Sequence, residues 1–315
     1  MREIMVIANR IHSDGIAAEI DHIPSDVCVV HLIWAPLGID PLKNFLQSYS
    51  FYRAGIDHDL LIIFNGFNSE QDLVEYKNLL SNYQYKSLLL WKFRLDIESY
   101  FAVSKNFKYK YFCFLNSYSR ILDHEWLLKM YSYISKEDVG LVGATGSWES
   151  LYTNFMNGLT MIEDKVFLRR MVKWCKQNIK KMKRKYRFDP FPNYHIRTNG
   201  FMISREVMRK IHTGLIFRKT DAYKFENGKG SMTKQIMNMG LKVLVIGKDG
   251  KGYEKEEWYK SETFRQGSQK NLLIADNQTT IYAVADPETK RILSHRTWGN
   301  RAYVSTHEGV AFHDN

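Results

Sequence analysis

Apolar residues arrive along this chain in unbroken runs that alternate with stretches of helical spacing. Residues 26–34, Asp-Val-Cys-Val-Val-His-Leu-Ile-Trp, form a β-branched-rich run closed by Ala35-Pro36-Leu37-Gly38, which predicts a buried strand ending in a turn. Leu42, Phe45, Leu46 and Tyr49 then recur at helical spacing behind Asp40-Pro41, an N-cap followed by a first-turn proline. A second run over 59–64 stops at Asn65-Gly66. The alternation continues with helices over 70–81, 97–107 and 124–134 and strands over 87–91, 111–115 and 139–144. Continuous apolar runs separated by helices predict parallel strands covered on both faces. In such sheets ligands bind beyond the carboxyl ends of the strands, at 35–38, 65–67, Asp96 and 116–119 in this chain.

The second half differs. Leu168, Met171, Cys175, Ile179, Met182 and Tyr186 mark one face of a helix over 161–187 whose other positions include nine lysines and arginines, and Asp189-Pro190 ends it. A strand over 200–204, a helix over 232–239 closed by Gly240, and a strand over 242–246 follow. Two β-like runs, 279–284 and 301–305, lie in the tail. We expect one α/β domain over 1–252 with a C-terminal extension, 253–315, packed on it.

Composition narrows the classes. A 315-residue chain that is 44% hydrophobic and 25% charged is not disordered in the main. No apolar run approaches the roughly 20 residues of a spanning helix, so a cytoplasmic protein is expected. Cys28, Cys113 and Cys175 lie far apart and are odd in number, which predicts reduced packing residues. The histidines show no paired metal-ligand spacing. With 45 basic and 34 acidic residues, the net charge of +11 suggests an anionic partner: a nucleotide, a polyphosphate, nucleic acid or an acidic membrane face.

In order, these landmarks over 26–248 resemble the A-type-fold (GT-A) glycosyltransferases, the family-2-like group that uses nucleotide-diphosphate sugars. The resemblance implies a Rossmann-like, mostly parallel sheet with helices on both faces. It implies donor contacts from Ala35, Pro36, Asn65 and Asp96, with Asn116 and Ser117 near the diphosphate. Two departures stand out: Phe64-Asn65-Gly66-Phe67 occupies the place of Asp-Asp-Gly-Ser, and Asn116-Ser117-Tyr118-Ser119 that of the metal-binding Asp-X-Asp. Neutral oxygens there hold a manganese or magnesium ion poorly. The ion is therefore weakly bound, borrowing Asp123 or His295, or basic side chains replace it, and no residue is assigned as a metal ligand. Phe225-Glu226-Asn227-Gly228 resembles the family's general-base motif, with Glu226 at a helix entrance as the catalytic base and Glu149 as the second candidate. Trp148, Arg197 and Asn199 fall, by order, on the acceptor side.

The expected function is transfer of a sugar to a hydroxyl of a glycan or lipid-linked glycan, in bacterial surface polysaccharide biosynthesis, at the inner face of the cell membrane. There the basic helix 161–187 would meet anionic lipid as a peripheral contact. Structural readings stand beside these: Asn65-Gly66 as a turn, Asn116-Ser117 and Asp96 as helix caps, Glu226 as an exposed turn residue and the basic helix as a solvated face packed on the sheet. Two other functions compete. A sugar nucleotidyltransferase needs a glycine-rich basic loop, which Ala35-Pro36-Leu37-Gly38 matches poorly. A non-catalytic nucleotide- or nucleic-acid-binding protein would suit the charge, but no recognised nucleic-acid motif supports it, and nucleic acid is not expected as a partner.

Overall fold

A computed structural model describes residues 4–8, 25–91, 94–158, 167–214, 216, 218–306 and 309–312. The unbroken apolar runs become strands whose side chains divide between two cores. Strand β1 (Ile4–Ala8) is followed by β2 (Val27–Trp34), helix α1 (Asp40–Phe51), β3 (Asp59–Asn65), α2 (Val74–Leu79), β4 (Lys86–Leu90), α3 (Asp96–Asn106) and β5 (Tyr111–Leu115). Along β2, Cys28, Val30 and Leu32 pack with Leu61, Ile63, Phe112 and Phe114 under Ile97, Tyr100 and Val103 of α3. The alternate residues Val27, Val29 and Ile33 pack with Leu60, Ile62, Cys113 and Leu115 under Leu42 and Phe45 of α1. Each fully buried side chain of this size contributes about 1.5–3 kcal/mol, which is why these strands tolerate no polar face.

The chain continues through β6 (Arg120–Ile121), α4 (Trp126–Ile134), β7 (Val139–Gly143), β8 (Gly146–Ser147), α5 (Leu151–Asn157), α6 (Phe167–Arg187), β9 (His195–Ile196) and β10 (Gly200–Ser204). Helices α7 (Arg205–Lys210), α8 (Lys219–Asn227) and α9 (Met232–Asn238) precede β11 (Lys242–Ile246) and β12 (Gly252–Tyr253). The main sheet has the order β1-β4-β3-β2-β5-β10-β7-β11-β12. Strands β4, β3, β2 and β5 are mutually parallel, and β7 is parallel to β11. The Rossmann-like, mostly parallel sheet with helices on both faces is the expected fold class. Short β1 and β12 are antiparallel at the two edges, and the internal departure is β10, which lies antiparallel between β5 and β7. A short apolar run with no direction in its sequence gives no sign of this reversal.

Past β12, β13 (Ile274–Ala275) pairs with β6, followed by α10 (Asn277–Val284), α11 (Pro287–Trp298) and the hairpin β14 (Tyr303–Thr306) with β15 (Gly309–Phe312). Trp258, Phe264 and Trp298 are buried in the same core as residues of α3 and α9. The β-like run at 279–284 is a helix instead. Asp276 Oδ1 accepts from Thr279 N–H at 2.9 Å as an N-cap, and the buried residues Thr279 and Tyr282 are three apart. Cys28 and Cys113 are buried as expected, whereas Cys175 is exposed on α6. The first residues of the basic helix expected from 161, and the side chains of Leu168 and Met171, lie outside the described residues.

Two positions test this packing. A Cβ on Gly140 would sit 2.5 Å from Ile236 Cγ2 and 2.9 Å from Leu241 Cβ. Gly140→Ala is expected to cost about 1–3 kcal/mol in urea unfolding. His31 is 1% exposed, stacked on Phe45 at 3.8 Å, with no partner for either ring nitrogen among the described residues. Burial lowers its pKa to about 3. The folded state therefore refuses a proton that the unfolded chain takes below about pH 6.5, and stability is lost as pH falls through that window. His31→Leu should stabilise the fold by about 1–3 kcal/mol at pH 7. The gain should be about 2 kcal/mol larger at pH 5, and an equal gain at both pH values would show that His31 is not buried neutral.

Candidate active site

After β2 the chain moves outward to β3 and β4 and then returns across the sheet to β5, so the turns leaving β2 and β5 diverge. A crevice of about 460 Å³ opens there, lined by Trp34 and Leu37 after β2, Asn116 and Ser117 after β5, and Asp96 at the start of α3. Asp96 is not spent on capping: Glu98 Oε2 accepts from Leu95 N–H at 3.2 Å and does that work. Burial, followed by the like charge of Glu226, pushes the Asp96 carboxyl up to about 6. The residue is open to solvent in the crevice.

The far wall is made by a loop and a helix that come from the second half. Because β10 is antiparallel, the residues before it, 197–199, sit at the carboxyl ends of its parallel neighbours. Asn199 O accepts from Asn116 N–H at 3.1 Å and from Ser119 Oγ at 2.8 Å, which pins the two loops together. Thr198 N–H donates to Glu226 Oε1 at 2.9 Å. Glu226 is in the last turn of α8 and not at a helix entrance as expected.

A second cavity of about 550 Å³ lies beyond Glu226, between the β8–β9 pair, the end of α6 and the segment 264–278. Glu226 and Tyr223 line both cavities and form the wall between them. Glu149 lines the second cavity, but Oε2 pairs with Arg265 Nη1 at 3.1 Å and Oε1 accepts from Asn154 Nδ2 at 2.7 Å. Arg197 pairs with Asp276 at 2.7 Å and lies 4.1 Å over the Phe264 ring. Burial alone would lift the Asp276 carboxyl; Arg197 and the N–H and O–H of Thr279 reverse this and hold it below the usual carboxylate range. His195 is 5% exposed, and its Nδ1–H donates to Asn193 O at 2.8 Å. Burial lowers its pKa, keeping the ring neutral.

The predicted residues thus divide. Asp96, Asn116, Ser117 and Glu226 meet in the first crevice, and Glu149 and Arg197 line the second cavity. Ala35 and Pro36 belong to the short 3-10 turn Ala35–Leu37, of which Leu37, with the preceding Trp34, does the lining. Asn65 is fully buried and pins the loop entering α3, donating to Arg94 O at 2.6 Å and accepting from Arg94 N–H at 3.0 Å. Asn199 also holds loops, through its carbonyl and through Oδ1, which accepts from Thr145 Oγ1. Trp148 lines neither cavity. Its indole N–H donates to Lys255 O at 2.9 Å within a cluster of Phe191, Tyr194, Tyr259 and Trp298 rings. Sequence reasoning missed Lys219 and Tyr223, and also His195 and Arg265; the helical spacing of Lys219, Tyr223 and Glu226 is the one signal that could have found the first two.

The donor set does not fit a divalent cation of the kind the resemblance implies. Asn116 Oδ1 is occupied by Tyr118 N–H at 3.0 Å and Ser119 Oγ at 3.1 Å. Asp123 is paired with Lys129 at 2.6 Å, and neither it nor His295 lines the crevice. Among the described residues no group of three His, Cys, Asp or Glu side chains is placed to hold a metal. Lys219 brings a positive charge to the same crevice.

No protein-family model and no curated protein matches the chain. Among solved structures it is similar to the mannosyltransferase PcManGT from Pyrobaculum calidifontis, solved in complex with GDP-Man and Mn2+. The identity is 12% and the TM-score 0.41, over 71% of this chain and 55% of that one. It is also similar to the 4-diphosphocytidyl-2C-methyl-D-erythritol synthase from Anaerococcus prevotii, at 14% identity and TM-score 0.40, over 70% of this chain and 88% of that one. The chain spans about half the length of the mannosyltransferase. Likenesses this distant carry nothing to individual residues, which stand on the geometry above.

The proximity of Asp96 and Glu226 has a measurable sign. In Glu226→Gln the like charge is gone, so the Asp96 carboxyl should titrate at a lower pH than in the unaltered protein, while burial keeps it above an ordinary aspartate. Carbon-detected NMR titration reads this directly, and an unmoved midpoint would separate the two carboxylates.

Proposed function

We propose that the chain is a glycosyltransferase that takes its sugar from a nucleotide-diphosphate donor in the first crevice and passes it to an acceptor hydroxyl in the second cavity. The observation that carries this reading is the position of Glu226, a carboxylate on the wall common to both cavities. A general base for such a transfer must reach the acceptor hydroxyl while the donor's sugar carbon lies on the other side. Glu226 is held in place by Thr198, and its second oxygen has no protein partner among the described residues. Glu149 is the weaker candidate because a base already paired with Arg265 is a poorer proton acceptor. In the crevice, Asp96 suits a ribose or base contact, and the Asn116–Ser117 turn and Lys219 face the diphosphate.

As the acceptor oxygen bonds to the sugar carbon, the bond to the diphosphate oxygen breaks and Glu226 takes the hydroxyl proton. The departing diphosphate gathers negative charge, which Lys219 offsets in a crevice partly shielded from solvent. A glycan or glycolipid acceptor in surface polysaccharide assembly would bring the protein to a membrane face. Helix α6 supports that setting. Ile179, Met182 and Tyr186 lie on one stripe and are 52%, 71% and 84% exposed, so the apolar stripe does not pack on the sheet. Lys180, Lys181, Lys183 and Lys185 flank it, and each such charge near an anionic bilayer is worth about 1 kcal/mol. No helix among the described residues is long and apolar enough to cross a membrane.

Three experiments test this reading. Thermal shift against UDP-, GDP-, CMP- and dTDP-sugars, each with EDTA and with manganese, should single out one donor, which at a hundredfold excess over Kd stabilises by about 2.7 kcal/mol. Glu226→Gln should keep that shift and lose transfer by about 10²–10⁴-fold; undiminished turnover would remove Glu226 from the chemistry. In flotation assays the protein should bind phosphatidylglycerol vesicles and not phosphatidylcholine ones, and Met182→Asp with Tyr186→Asp should abolish it. Equal binding to both vesicle types would sink the electrostatic part of the membrane reading.

A further inference from the structure

The second cavity holds more positive charge than its own carboxylates use. Lys183, Arg184, Arg187, Arg197 and Arg265 line it against Glu149 and Glu226. Arg265 is paired with Glu149 and Arg197 with Asp276. Arg184 is occupied as well, donating from Nη1 to Leu151 O at 3.0 Å with its guanidinium 4.8 Å from the Phe155 ring. Lys183 and Arg187 are different. They stand one helical turn apart on α6, both exposed, and among the described residues neither has a carboxylate partner. Cations at i and i+4 repel one another, so their presence at the mouth of a cavity costs stability unless an anion is there.

The interior of the same cavity has another character. His195 is nearly buried, its Nδ1–H is fixed on Asn193 O, and its Nε2 has no protein partner among the described residues. With the proton held on Nδ1, Nε2 is an acceptor suited to a hydroxyl donor. Glu226 lies on the same lining. The cavity thus offers two hydroxyl-accepting groups within and two uncommitted cations at its mouth. We propose that it takes an acidic saccharide, with a sugar hydroxyl against Glu226 and His195 and a phosphate or carboxylate of the same molecule against Lys183 and Arg187. This rests on the reading of the second cavity as the acceptor site, and it names the class of acceptor.

The test needs no donor. Glucose, glucuronate, glucose 6-phosphate and inorganic phosphate are titrated separately into the full chain by calorimetry. The expected order is glucose 6-phosphate tightest, glucuronate next, and glucose at least tenfold weaker than the phosphorylated sugar. Lys183→Glu with Arg187→Glu should weaken glucose 6-phosphate at least tenfold and leave glucose unchanged. Lys183→Gln with Arg187→Gln, which alters an exposed helix least, should fall between the two, and circular dichroism confirms that each variant is folded. His195→Gln should weaken both sugars and spare inorganic phosphate. Glucose bound as tightly as its phosphate, or no response to either double variant, overturns the proposal; inorganic phosphate bound as tightly as the sugar phosphate overturns its saccharide part. A protein that binds acidic sugars in this way and no nucleotide sugar would retain this inference and lose the donor reading, whereas donor binding without acidic-sugar binding would do the reverse.

Discussion

Strand β10 runs against its two neighbours, and the candidate site depends on that reversal. Had it been parallel like β5 and β7, the loop 197–199 would lie at the opposite edge of the sheet, away from every turn that opens the crevice. Running antiparallel, it delivers Arg197, Thr198 and Asn199 to the carboxyl edge. Asn199 ties down the Asn116 turn, Thr198 holds Glu226, and Arg197 reaches the buried Asp276. One change of direction thus joins the first half of the sheet to the helices and tail of the second half.

The join is made with buried charge. Asp276 is 2% exposed, and its pairing with Arg197 crosses from the sheet edge to the C-terminal segment, as does Arg265 with Glu149. Such pairs add little net stability over well-packed apolar side chains, yet losing one partner is costly because the other is left uncompensated. Their value here is geometric. Both pairs tie the C-terminal segment to the end of the sheet, where Phe264, Arg265 and Gln278 line the second cavity.

Much of the fold was legible because burial on both faces writes itself as unbroken apolar runs. Strands β2 to β5 and helices α3 and α4 follow from that pattern to within a residue or two. Direction is not written in a five-residue run such as Gly200–Ser204, so the reversal of β10 was hidden, and with it the meeting of Glu226 with Thr198. Single polar residues were the hardest to place. Asn65 and Trp148 have the composition of ligand contacts and are used inside the protein, because a buried amide or indole must find its partner before it can serve anything else. Glu98 two residues after Asp96 shows the opposite case: the neighbour takes the cap and frees the first carboxylate.

Tyr223 and Glu226 lie one turn apart on α8 and face both cavities, so the two sites share a partition rather than merely a border. Any ligand that shifts this short helix in one chamber alters the shape of the other. Thermodynamics then makes the influence mutual, since the free energy by which the first occupant favours the second equals that by which the second favours the first. A partition of this kind lets the occupancy of one chamber be felt in the other: Glu226 stands in a short helix that lines both.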